Sequence, residues 1–306
     1  MSENHKKIVL PNGQDASVQD EEHVTERSIE RQEEEEEYQS VIVKRTDEIQ
    51  RHPDDMISFA VTEGLEQHNR PPLSLLMSSI AAGLVICFTA MAVAIVTKES
   101  SSSSSDLVRR LAPALVYPLG FIACIISGTQ LFTEHTASAV YPVLDKKATF
   151  SNLIRLWILV IFGNLIGVTL SASLLVAVDD IVQAHEGYIK IAEHLVDVDF
   201  IPLFISALLA GWLMALGSWL LLATHNVSGK VVLIYLVTFL IGLGGLHHSI
   251  AGSAEMLIAL FISDSYTFNQ AIRFIFIALA GNLVGGSIFV AALNYIHIRR
   301  TQVISP

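Results

Sequence analysis

GGLHHSIAGSAE, residues 244–255, interrupts a stretch that otherwise reads as a membrane helix. KVVLIYLVTFLIGL (230–243) precedes it and MLIALFI (256–262) follows, both apolar. Two adjacent histidines, a glutamate and three glycines are costly there, because hydrocarbon offers no partner to polar side chains or to freed backbone groups. Irregular backbone at that depth survives only where protein buries it or water reaches it. The interruption therefore predicts a broken span at the edge of a pathway, inside an all-α membrane protein.

The surrounding chain agrees. It is 52% hydrophobic and only 16% charged, with a mean hydropathy of +0.51, too apolar for a soluble domain of 306 residues. Six apolar stretches stand at about 74–96, 112–143, 152–178, 200–223, 229–262 and 270–297, each reaching the about 20 residues a helical span requires. The second and fifth are too long for one straight span and are polar in the middle. A six-span transmembrane domain over 73–298 follows from this pattern, with a short end at 299–306.

The net charge of −11 belongs almost wholly to the front of the chain, where residues 1–73 hold 8 Lys+Arg against 18 Asp+Glu. Residues 1–52 read as an acidic, largely disordered tail around EEEEE (33–37), whose like charges repel. From Pro53 to 72 the pattern is an amphipathic helix at the membrane surface, with Met56, Phe59, Ala60 and Leu65 on one side and Arg70-Pro71-Pro72 as its stop. MSENHKKIVLPNGQDASVQD has no apolar core, so no signal peptide is expected in it. Basic residues slightly favour the side of the two termini, which predicts both in the cytoplasm. Cys87 and Cys124 lie in apolar spans and show neither a disulfide nor a metal pattern.

The third span holds FGNLIGVTL (162–170) and the sixth AGNLVGGSI (280–288), so the GNL-apolar-G unit recurs 118 residues on. A similar shift brings the polar break SGTQLFTEHT (127–136) opposite LGGLHHSIAG (243–252). Two tandem units of three spans insert in opposite senses, an inverted three-plus-three repeat whose paired breaks mark the pathway. Gly163, Asn164, Gly167, Gly281, Asn282 and Gly285 fall in the repeated unit, and the small residues, with Gly286, suit close helix packing.

These residues resemble the formate/nitrite transporter family of anion channels, over roughly 56–297, and within it the YfdC-type branch with a long acidic front end. FAVTEGLEQHNRPPLSLLMSSIAAG, SGTQLFTEH, FGNLIG, GLHHSIAG and AGNLVGG carry the resemblance together. It implies an aquaporin-like fold assembled as a homopentamer in a bacterial inner membrane, with one pore per subunit. It implies that Leu131, Phe132 and Thr133 close the inner side of the pore and that His248 faces them across the constriction. Members usually carry lysine at Leu195, asparagine at Gly211, glutamate at His247 and asparagine at Gly252, and this chain departs from all four.

Function follows in outline. An imidazolium about 4 Å from a small anion offsets about 4 kcal/mol of its desolvation at an effective dielectric of about 20. A histidine also gains or loses its proton near neutrality, which makes coupling of flux to protons through His248 an expectation. The intramembrane Glu134, His135 and Glu255 are further candidates, and His247 is another for the pathway, although about 100° from His248 on a helix it cannot face the same constriction. The expected activity is a channel or transporter for small monovalent weak-acid anions such as formate, nitrite or hydrosulfide. The alternatives are a pore for a small neutral solute and a transport-inactive pentameric scaffold. No HExxH is present, and neither a metal, a cofactor, a catalytic residue nor a nucleic-acid partner is expected.

Overall fold

The computed structural model describes residues 53–224 and 226–301, so the acidic tail with its glutamate block and residues 302–306 lie outside the described residues. The compact unit considered below runs to Ile296. It opens with α1 (Pro53–Asn69) and α2 (Pro72–Ser100), separated where Pro71 is extended and Pro72 restarts the helix. The second span descends as α3 (Asp106–Val116) and α4 (Pro118–Ile126), breaks at 127–131, and resumes as α5 (Phe132–Leu144). Then come α6 (Phe150–Ala177), the single turn α7 (Asp179–Val182) and α8 (His185–Val196). The second half follows as α9 (Phe200–Leu222), α10 (Val227–Gly244), a break at 245–248, α11 (Ser249–Ile262) and α12 (Phe268–Gly286). A π-helical turn (Ser287–Ala292) leads into α13 (Leu293–Thr301). Among the described residues, six helical stretches are long and apolar enough to cross a membrane: Pro72–Ser100, Asp106–Ile126, Phe150–Ala177, Phe200–Leu222, Val227–Gly244 and Phe268–Ile298.

The most buried helices are the two that follow the breaks. Every residue of α11 from Ser249 to Ala259 is buried, and so is α5 from Phe132 to Pro142 apart from His135. The outer helices instead expose large apolar groups, among them Phe88, Ile158, Phe162, Leu170 and Phe276. That arrangement suits lipid or another apolar surface outside and polar breaks inside.

The helix pairs α2–α6 and α9–α12 are the same packing solution written twice. A Cβ on Gly83 would strike the carbonyl oxygen of Asn164, and one on Gly211 would strike that of Asn282. Likewise Gly163 packs on Ser79 and Gly281 on Ala207. The GNL units thus bring backbones together, and the asparagine of each lies at the crossing. Gly211 cannot hold an asparagine in this packing.

The repeat also contains a part that the three-span reading omits. In the first half α1 packs on α5, and in the second α8 packs on α11. Each peripheral helix is held at its carboxyl end by an arginine: Arg155 Nη2 donates to the His68 carbonyl (3.1 Å), and Arg273 donates to those of Val198 (2.6 Å) and Val196 (3.5 Å). Docking on α5 corrects the face expected for α1. Met56, Ile57, Ala60 and Val61 are buried, whereas Phe59 is 46% exposed and Leu65 half-buried. Gly64 sets that rotation, since a Cβ there would collide with Ser138 and Pro142 of α5.

Candidate functional site

Breaking a helix frees backbone groups, and each break is repaired by one asparagine. Asn164 accepts from the Phe132 amide (2.9 Å) and donates to the carbonyls of Gln130 (2.9 Å) and Ser79 (2.8 Å). Asn282 accepts from the Ser249 amide (2.7 Å) and donates to the carbonyls of His247 (3.1 Å) and Ala207 (2.6 Å). Each clamp therefore ties the restarting helix, the break and a neighbouring span. Both asparagines do more than fill a packing interface. The clamps also fix the register of the breaks: Gln130 answers His247 and Phe132 answers Ser249, so Leu131 answers His248. That is one residue beyond the overlay read from the sequence.

Leu131 and His248 are the N-caps of α5 and α11, with nearly identical backbone angles (φ −89°, ψ 127° and φ −88°, ψ 127°). Only His248 caps with its side chain, its Nδ1 accepting from the Ala251 amide at 3.1 Å. An amide can only donate, so Nδ1 carries no proton and the neutral ring holds its hydrogen on Nε2. Nε2 lies 2.6 Å from Thr133 Oγ1 and donates to it. Upstream, α10 ends on Gly245 in the left-handed region (φ 61°), and the amides of Gly245 and Leu246 return to the carbonyls of Gly242 and Ile241.

The Thr133–His248 contact brings the starts of α5 and α11 together. Phe121 of α4 meets the imidazole edge-on at 4.9 Å, and Phe121, Leu131, Phe132, Thr133 and His248 are each at most 1% exposed. This is a dry layer. A cavity of about 490 Å³ opens on one side, lined by Arg109, Arg110, Lys190, His194, His248 and Glu255 among others. Two of its cations are engaged, Arg109 with Asp106 and Ser103, and Arg110 with the Leu243 carbonyl (2.8 Å). Lys190 is exposed and has no hydrogen bond among the described residues. A smaller cavity lies across the layer, walled by Glu134, Ile125, Ser218 and Thr238. The two are separated along α4, whose Ile125 lines the small one and whose Phe121 stands in the layer. Along α10, Ile234, Val237 and Thr238 line the small cavity and 241–244 the large one.

His247 is turned away from the layer, although its ring touches the large cavity. Its Nδ1 meets Ser206 Oγ at 2.8 Å, its amide donates to the same oxygen, and its ring stacks on His194 at 5.1 Å. It fastens the break to α8 and α9. His135 Nδ1 donates to the Leu131 carbonyl at 3.1 Å, outside the dry layer. Phe274, which nothing in the sequence singled out, accounts for the departures near it. Its ring lies where a Cβ on Gly252 would go, it sits 6.0 Å from the His247 ring, and it shares an apolar cluster with Leu195. No group of three or more His, Cys, Asp or Glu is placed to hold a metal ion among the described residues.

The formate/nitrite transporter family matches residues 54–296, and the chain belongs to that family of membrane transport proteins. It is 32% identical over 243 residues to the inner membrane protein YfdC of Escherichia coli, covering 78% of this chain and 76% of that one. The formate channel FocA of the same species is 24% identical over 216 residues, covering 69% and 75% of the two chains. Among solved structures, an FNT family ion channel aligns with a TM-score of 0.70 at 20% identity, over 80% of this chain and 98% of that one. A pentameric formate channel with formate bound aligns at 0.64 and 22% identity, over 74% and 98%.

Proposed function

We propose that the protein conducts small monovalent weak-acid anions of the formate, nitrite or hydrosulfide kind, and that His248 is the group that meets the solute in the dry layer. The observation that carries this reading is the Nδ1 cap, which aims the Nε2–H at Thr133 and so presents a donor from each side of the closure. A donor bonded to a charged group contributes about 1.5–3 kcal/mol. Moving a bare anion into such a layer costs far more than that, tens of kcal/mol in the limit of an apolar medium. Protonating a weak acid about three pH units above its pKa costs only about 4 kcal/mol. The solute therefore crosses as the neutral acid, steadied by Nε2–H and the threonine hydroxyl, and the basic cavity gathers the anion beforehand.

In the same proposal the chain is a homopentamer with one pathway per subunit in a bacterial inner membrane, both termini in the cytoplasm. The likeness to YfdC and to the pentameric channel supports it. The halves are related by inversion, and residues 73–298 make up the pore domain. Meeting of α5 and α11 at their starting turns supports the inversion, since their favourable dipole ends then converge on one point. Light scattering from proteoliposomes offered formate, nitrite, acetate or glycerol on either side of neutrality tests the reading. Entry of anions that His248→Phe slows by roughly tenfold to hundredfold is expected. Entry of glycerol alone would move the assignment to a neutral solute, and no entry at all to a scaffold.

A further inference from the structure

Glu134 stands in the wall of the smaller cavity, 8% exposed, and its Oε2 has no hydrogen-bond partner. A buried carboxylate is expected to be paired, and one within a membrane span is seldom kept without a task. Its surroundings supply little. On its own helix the His135 Nδ1 is 3.6 Å from Oε2, but that nitrogen's proton already goes to the Leu131 carbonyl. From α1 it faces Glu63, and from α4 Cys124, neither of which can stabilise a negative charge. The residues that α9 and α10 give to the cavity wall include no titratable group, and the Thr238 hydroxyl donates to its own helix at 2.7 Å. An anion leaving the dry layer on this side would therefore meet a like charge.

The central ring cannot supply or take the proton that the neutral acid carries. With Nδ1 held by the Ala251 amide, His248 has a single proton on Nε2, and a neutral ring that gave it up would be left an imidazolate. We propose that Glu134, the neighbour of Thr133, is the proton-exchange site on the far side of the layer from the basic cavity. The step is H–A + Glu134–COO⁻ → A⁻ + Glu134–COOH, after which the carboxyl group gives its proton to water. Hydrogen bonding and proton exchange are then divided between His248 and Glu134. The inference rests on the weak-acid reading above.

The test uses the full chain in liposomes loaded with a pH-sensitive dye and offered formate. Glu134→Gln is expected to slow the initial lumen acidification about tenfold or more and to flatten its dependence on pH, as loss of a general acid–base group does. Glu134→Asp, still an acid, should recover the pH dependence in part. Infrared difference spectra between acid and neutral samples read the carboxyl directly, without any solute: one protonated C=O component of the wild-type spectrum should be missing in Glu134→Gln. Identical acidification rates and pH profiles in wild type and Glu134→Gln would overturn the assignment, as would a band unchanged by the substitution. Failure of the wild type to admit formate, with the band intact, would sink the weak-acid reading and leave Glu134 as a proton site.

Discussion

One nitrogen of His248 is committed to the backbone of α11 before any solute arrives, and that commitment decides what the ring can do. His248→Phe keeps an aromatic ring beside Phe121 and removes both the cap and the donor. The lost cap should cost about 0.5–2 kcal/mol of stability, and the lost donor about 1.5–3 kcal/mol of solute stabilisation, or roughly tenfold to hundredfold in flux. Thermal melts and uptake rates on the same preparation separate the two. Phe274 offers a second test at this scale. Gly252→Asn should destabilise the chain by about 1–3 kcal/mol, because the new side chain meets the Phe274 ring. Phe274→Ala should do so by about 3–5 kcal/mol through the cavity it leaves. Combined, the two should cost clearly less than their sum, since each makes room for the other. Additive losses measured by denaturation would show that Phe274 does not explain the glycine.

At the scale of elements, the asparagine clamps and the two arginines turn separate helices into paired halves. Arg273→Gln should loosen the carboxyl end of α8 and raise amide exchange over residues 185–198, with the region around α1 unchanged. Arg155→Gln should do the reverse. Much of this scale was legible beforehand: the six spans, both breaks and the GNL repeat could be read from hydropathy and self-similarity. The arginines could have been found in the same way. IRLWILVIFGNLIG (154–167) and IRFIFIALAGNLVG (272–285) extend the repeat back to Ile-Arg, with Arg155 and Arg273 in the same register. What could not be read is where a bond lands. Asn164 reaches Ser79 across 85 residues and Asn282 reaches Ala207 across 75, and no local period encodes such a partner. The rotation of α1, the seat of His247 and the cap made by His248 each depend on a helix boundary or crossing that only the folded chain defines.

The whole molecule is asymmetric in charge where its packing is repeated. Among the described residues, basic groups gather with Glu255 around one cavity, and Glu134, whose Oε2 has no hydrogen-bond partner, lines the other. Lys190→Ala should therefore raise the solute concentration for half-maximal uptake several-fold at low ionic strength, leave the maximal rate nearly unchanged, and lose most of its effect in about 0.15 M salt. Uptake that ignores salt in both proteins would separate Lys190 from solute capture. The equivalence of Leu131 and His248 has a consequence of another kind. Matching backbone seats in the two halves hold a hydrocarbon in one and an imidazole in the other. Direction in this protein is then a difference between twin seats. Exchanging the pair, Leu131→His with His248→Leu, asks whether the ring's duty belongs to the seat or to the half of the chain that now holds it.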